Sequence, residues 1–128
     1  MSTESIPQAI RDYYAATRSM DGDAWVATFA PDAVNYDPVG GPPQSGREAI
    51  RQFFAGITDV FETVGVTEDF AHAVGNEVVV KWTGHGVGKN GREVMFEGID
   101  LFELNAEGLI QTVRSYWDTA ALMAQLQD

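Results

Sequence analysis

The chain has 128 residues, 8 Lys+Arg against 19 Asp+Glu, a formal net charge of −11 and no cysteine. That length fits one domain with one core. The charge opposes nucleic acid and anionic membranes as partners. Missing thiols exclude disulfides, thiolate metal sites and a cysteine nucleophile, and two histidines leave little for a multi-histidine metal centre. With 45% hydrophobic residues the chain is not an acidic disordered segment. The N-terminal residues have no basic and apolar signal pattern, and no apolar run reaches the ~20 residues that span a bilayer. The expectation is a cytoplasmic domain whose chemistry rests on carboxylates, tyrosines, hydroxyls, two histidines or a bound organic cofactor.

In chain order, Ile6, Ile10, Tyr13, Tyr14 and Thr17 recur at helical spacing, predicting an amphipathic helix over 4–19. Asp21-Gly22-Asp23 breaks it. A short second helix through Trp25 and Phe29 is expected to stop at Pro31, followed by a strand from Ala33 to Asp37. Pro38 to Pro43 form a stiff loop. Ser45 and Glu48 have capping-box spacing and open a third helix through about Phe61. The period then falls to two. Strands are expected over 63–74, 77–87, 92–104 and 109–118, with Gly75-Asn76, Asn90-Gly91 and Ala106-Glu107-Gly108 as turns. A terminal helix runs from Thr119 to Gln127. Helices segregated from an antiparallel run imply an α+β domain, a curved sheet wrapped over helices around an apolar pocket.

Polar residues on apolar faces are the site candidates. One parity of the third long strand reads Val94, Phe96, Gly98, Asp100, Phe102, Leu104, so Asp100 shares a side with aromatics. A carboxyl there has a raised pKa and can donate a hydrogen bond. The alternatives are a bulge in the strand or a pair with Arg114. Gly98 in the same row marks a bend or leaves room for a ligand. Asp37 is either a turn aspartate or a base held at a pocket mouth. Tyr13 is either a core tyrosine or a ligand donor. His72 and His85 have no triad partner, and the run Gly84-His85-Gly86-Val87-Gly88 lacks the strand-to-helix context of a phosphate loop.

The stretches Asp37-Pro38-Val39-Gly40-Gly41-Pro42-Pro43, Gly46-Arg47-Glu48-Ala49-Ile50, Gly98-Ile99-Asp100-Leu101-Phe102 and Tyr116-Trp117 resemble the bacterial Δ5-3-ketosteroid isomerases of the NTF2-like, or SnoaL-like, superfamily. The resemblance spans nearly the whole chain, 1–128, as one NTF2-like cone. It implies Tyr13 and a neutral Asp100 as donors to an oxyanion and Asp37 as the base. Ketosteroid isomerases illustrate how environment separates two carboxylates in this way. Phe29, Phe54, Val113 and Trp117 are expected as walls for a flat apolar substrate. Positions where steroid isomerases carry supporting tyrosines are Phe29 and Phe54 here. The implied reaction moves a double bond from β,γ to α,β of a ketone through a dienolate, with no metal and no cofactor. A SnoaL-like polyketide cyclase, or a non-catalytic NTF2-like small-ligand domain, are the alternatives. The resemblance also implies a homodimer through the outer sheet face, where Met95, Ile99 and Leu101 are apolar. The terminal helix, Ala121 to Leu126, is the other possible cover for that face.

Overall fold

The computed structural model describes residues 6–127. The predicted start of the first helix, residues 4 and 5, lies outside them. Helix α1 runs Gln8–Ser19 and buries Ile10, Tyr13, Tyr14 and Ala16. Met20 ends it at φ 53°, the left-handed turn of a helix C-terminus. Asp21, expected only as a breaker, starts the next helix: its carboxylate accepts from the Ala24 N–H at 3.0 Å.

Helix α2 is Gly22–Ala27 and strand β1 is Phe29–Tyr36. Pro31 therefore lies within the strand and does not close the helix. The ladder explains this. β1 pairs in parallel with the last strand, and the register shifts between Phe29 and Val34, so Pro31 falls in an irregular stretch where no ladder N–H is required. A two-residue strand absent from the sequence expectation, β2 (Gln44–Ser45), pairs with β1. Helix α3 is Gly46–Thr58, three residues shorter than expected, because Phe61 already opens the next strand. Ser45 stands at its N-cap but makes no side-chain capping bond. Gly46, at φ 85°, makes the turn into the helix instead.

Strands β3 (Phe61–Val74), β4 (Glu77–Gly88), β5 (Glu93–Leu104) and β6 (Ile110–Trp117) follow the predicted meander, and helix α4 (Thr119–Leu126) ends the described chain. The sheet order is β2-β1-β6-β5-β4-β3. The parallel β1–β6 pair is the feature that local sequence pattern could not show, since it joins segments some eighty residues apart.

Burial alternates strictly along β4 and most of β5. Val78, Val80, Trp82, Asp100 and Phe102 face inward, while Val79, Met95 and Ile99 face out. Glycines shape the inner face. A Cβ on Gly84 would stand 2.4 Å from the Phe96 ring, and one on Gly98 would stand 2.5 Å from Trp82 and 2.8 Å from Trp117. Gly98 is thus a floor on which two indoles lie. Helix α4 packs on the inner rim, with Leu122 against Phe61 and Val94. The Gln125 amide bonds both the N–H and the C=O of Met95, at 3.0 and 2.9 Å. The helix therefore does not cover the outer face, where Phe70, Met95, Ile99 and Tyr116 remain exposed.

Candidate active site

A cavity of about 260 Å³ opens between the sheet's inner face, α1, α3 and α4. Its wall is apolar except for a small group of side chains that includes Tyr13, Tyr14, Asp37, Asp100 and Ser115. No Lys, Arg or His lines it among the described residues.

Asp100 comes from β5 and is 2% exposed. The strand keeps its register through this position: Asp100 faces Val80 on β4 and Ser115 on β6. The bulge alternative therefore fails. So does the pair with Arg114, which lies opposite Leu101 and stacks over the Tyr36 ring at 5.1 Å. Both carboxyl oxygens of Asp100 are taken. The Tyr14 hydroxyl donates to Oδ2 and the Ser115 hydroxyl to Oδ1, each at 2.6 Å. Burial pushes the carboxyl up to about 6, and the hydrogen bonds pull the other way.

Asp37 closes β1 and meets the stiff loop at a cis peptide bond to Pro38. Its carboxyl accepts the Trp117 indole N–H at 2.7 Å. Asp37 is buried, and its carboxyl is pushed up to about 7 by burial first and by the Asp100 charge second. Trp117 opposes this by hydrogen bonding the charged form. Environment thus raises both aspartates above the usual carboxylate range.

Tyr13 lines the cavity and packs edge-on to Tyr14 and Phe102, with ring centroids 4.9 and 5.1 Å away. Burial and the charges of Asp100 and Asp37 raise its pKa well above the usual phenol value. The hydroxyl therefore stays protonated and remains a donor.

The cavity brings together Tyr13, Asp37, Asp100, Phe54 and Trp117. It excludes Phe29 and Val113, which were expected as walls. Both are fully buried. Phe29 lies behind Trp25, with ring centroids 4.9 Å apart, and Trp25 presents its own ring to the cavity. Val113 pairs with Phe102 in the β5–β6 ladder, one step below Ser115 on the same face. Residue typing missed Tyr14 and Ser115. The signals were present: Tyr14 sits four residues after Ile10 on the buried stripe, and Ser115 shares the parity of Val113 and Trp117. Among the described residues no cluster of His, Asp and Glu is arranged to hold a metal, and no helix is long and apolar enough to cross a membrane.

A helix-lined sheet with carboxylates inside an apolar cavity defines an NTF2-like cone. The family model for the SnoaL-like domain matches residues 10–113, and the chain belongs to that family. The steroid Delta-isomerase of Nocardioides simplex is 31% identical over 120 residues, covering 91% of this chain and 92% of that protein. Among solved structures, the epoxide hydrolase/cyclase-like enzyme SalBIII, described in pyran ring formation in the polyether salinomycin, superposes with a TM-score of 0.79 at 26% identity. It covers 88% of this chain and 90% of its own. A putative polyketide cyclase from Xanthomonas campestris pv. campestris has a TM-score of 0.81 at 24% identity over 93% and 94% of the two chains.

Proposed function

We propose that this protein is a cofactor-independent isomerase that moves the double bond of a β,γ-unsaturated ketone, such as a 3-oxo-Δ5-steroid, into conjugation. The observation that carries the reading is the meeting of Tyr13, Asp37 and Asp100 in one apolar cavity. The steroid Delta-isomerase relative supports the same choice.

Asp37, ionised, takes the proton from the carbon between carbonyl and alkene. The negative charge moves to the carbonyl oxygen of the dienolate, which Tyr13 and protonated Asp100 hold by hydrogen bonds. Asp37 then returns the proton two carbons along. The competent state has its single carboxyl proton on Asp100. A developing oxyanion beside Asp100 favours that placement, since like charges oppose ionisation of the acid. Trp117 favours the complementary charge on Asp37. The test is absorbance of the conjugated enone on mixing the protein with the ketone. A rate above buffer that falls about 10²–10⁴-fold in Asp37→Asn supports the reading. A rate equal to buffer contradicts it.

One observation favours a second reading, ring closure of a polyketide-type substrate. Two hydroxyls donate to Asp100, which organises it as a carboxylate, while Asp37 has one indole donor and burial favours its acid form. That acid–base pair has the opposite polarity: Asp100 would deprotonate a nucleophile and Asp37 would protonate the leaving or accepting oxygen. Turnover of a polyketide-type substrate, with none of the ketone, would select it.

A further inference from the structure

The isomerase reading leaves two hydroxyls bound to Asp100 without a role. Each stands 2.6 Å from a different oxygen of a carboxyl that is almost wholly buried. They arrive from different elements, Tyr14 from α1 and Ser115 from β6, so the carboxyl is clamped from two sides. Neither donor is free to swing away. Tyr14 is fully buried, with Tyr13 and Phe102 edge-on to its ring. Ser115 is buried and faces Asp100 directly across the β5–β6 ladder. The indole N–H of Trp82, from β4, is buried beside the same carboxyl and also favours its charged form.

We propose that Tyr14 and Ser115 are positioning residues for Asp100: they fix the plane of its carboxyl toward the ligand and, by donating to it, govern whether it holds a proton. The proposal deepens the isomerase reading and rests on it only for the activity measurement below.

The surroundings leave this task to the donors. Asp100 is faced by Tyr13 and Tyr14 from α1, Trp82 from β4, Ser115 from β6 and Asp37 after β1. Glu68 acts on Tyr14 with the same sign of charge. No basic side chain lines the cavity among the described residues, so no cation offsets the burial of the carboxylate. Burial favours the acid, the donors favour the anion, and the balance lies near neutrality. A carboxyl held at that balance gives up or regains its proton with a small change at the ligand oxygen.

The experiment is ¹³C NMR titration of the aspartate side-chain carboxyls in the free full-length protein, with the Asp100 signal assigned by its loss in Asp100→Asn. In Tyr14→Phe and in Ser115→Ala, the Asp100 midpoint is expected to move up by about one pH unit or more, since a hydrogen bond to a charged group has been removed. A midpoint that stays in place or falls in either variant overturns the role of that residue. Each variant deletes one oxygen and keeps the apolar packing, and each reads the same carboxyl independently of the other. In the second measurement, the pH profile of kcat/KM on the ketone moves to higher pH in both variants. Absence of ketone turnover in the unaltered protein removes the isomerase reading and leaves the carboxyl titration to decide this one.

Discussion

Asp37 and Asp100 are each raised by burial, to about 7 and about 6, and each feels the pocket they share. Groups coupled in this way lose protons as a pair. If only the singly protonated pair is competent, kcat/KM on a β,γ-unsaturated ketone follows a bell with limbs near pH 6 and 7, and a stopped-assay pH series reads it. A flat profile from pH 5 to 9 would contradict the two-carboxylate account. Tyr13→Phe removes one donor to the oxyanion and should lower kcat by about 10²–10³-fold. Trp117→Phe removes the donor to Asp37, so that carboxyl should ionise at higher pH and the profile should move upward. Asp100 was legible in the sequence because one charge stood in an aromatic row of period two. Asp37 was legible through its Asp-Pro-Val-Gly context, but its burial was not, because the walls that enclose it come from β6, α3 and α4.

The long strands were read from alternation alone, and their ends fell within about two residues of the observed ones. The failures were nonlocal. Pro31 was taken to stop a helix, whereas pairing with β6 draws Phe29–Tyr36 into the sheet and places the proline in an irregular stretch. The glycines of β4 and β5 were visible as glycines within strands, and their reason lies across the sheet. Gly98→Ala forces a Cβ into the Tyr116 carbonyl at 2.6 Å as well as the Trp82 ring, so the floor must shift. The expected destabilisation is roughly 1–3 kcal/mol, measured by urea unfolding. Unchanged stability would show that the indoles have room to move. Gln125 fastens α4 by pairing with Met95 as a strand neighbour would. Gln125→Ala should loosen this cover and raise amide exchange in α4 while leaving β4 protected.

At the scale of the molecule, most acidic residues among those described are exposed, and the two candidate carboxylates, Asp37 and Asp100, are buried. Both have folded pKa values above the unfolded 3.8. Their contribution to stability is full below about pH 4 and is lost as pH rises through about 6 and 7. Relative to the unaltered protein, Asp37→Asn should therefore be more stable at pH 8 than at pH 4, by roughly 1–3 kcal/mol, in paired denaturation curves. The fold class was legible because helices precede the meander and the period changes only once. The face left open was legible only in part: Ile99 and Met95 stood out, but the row Phe70, Lys81, Ile99 and Tyr116 depends on register across four strands. We propose that this row pairs two copies of the chain into a homodimer, which sedimentation at micromolar concentration would show as a doubled mass. The most direct test of the whole account is isotopic. A β,γ-unsaturated ketone deuterated at the carbon between carbonyl and alkene is converted in ordinary water. One of its two deuterium atoms should appear two carbons away in the conjugated product, because one buried carboxylate carries it across, while the other stays on the original carbon. Product with no deuterium at the receiving carbon, or no product above buffer, would contradict this proton transfer.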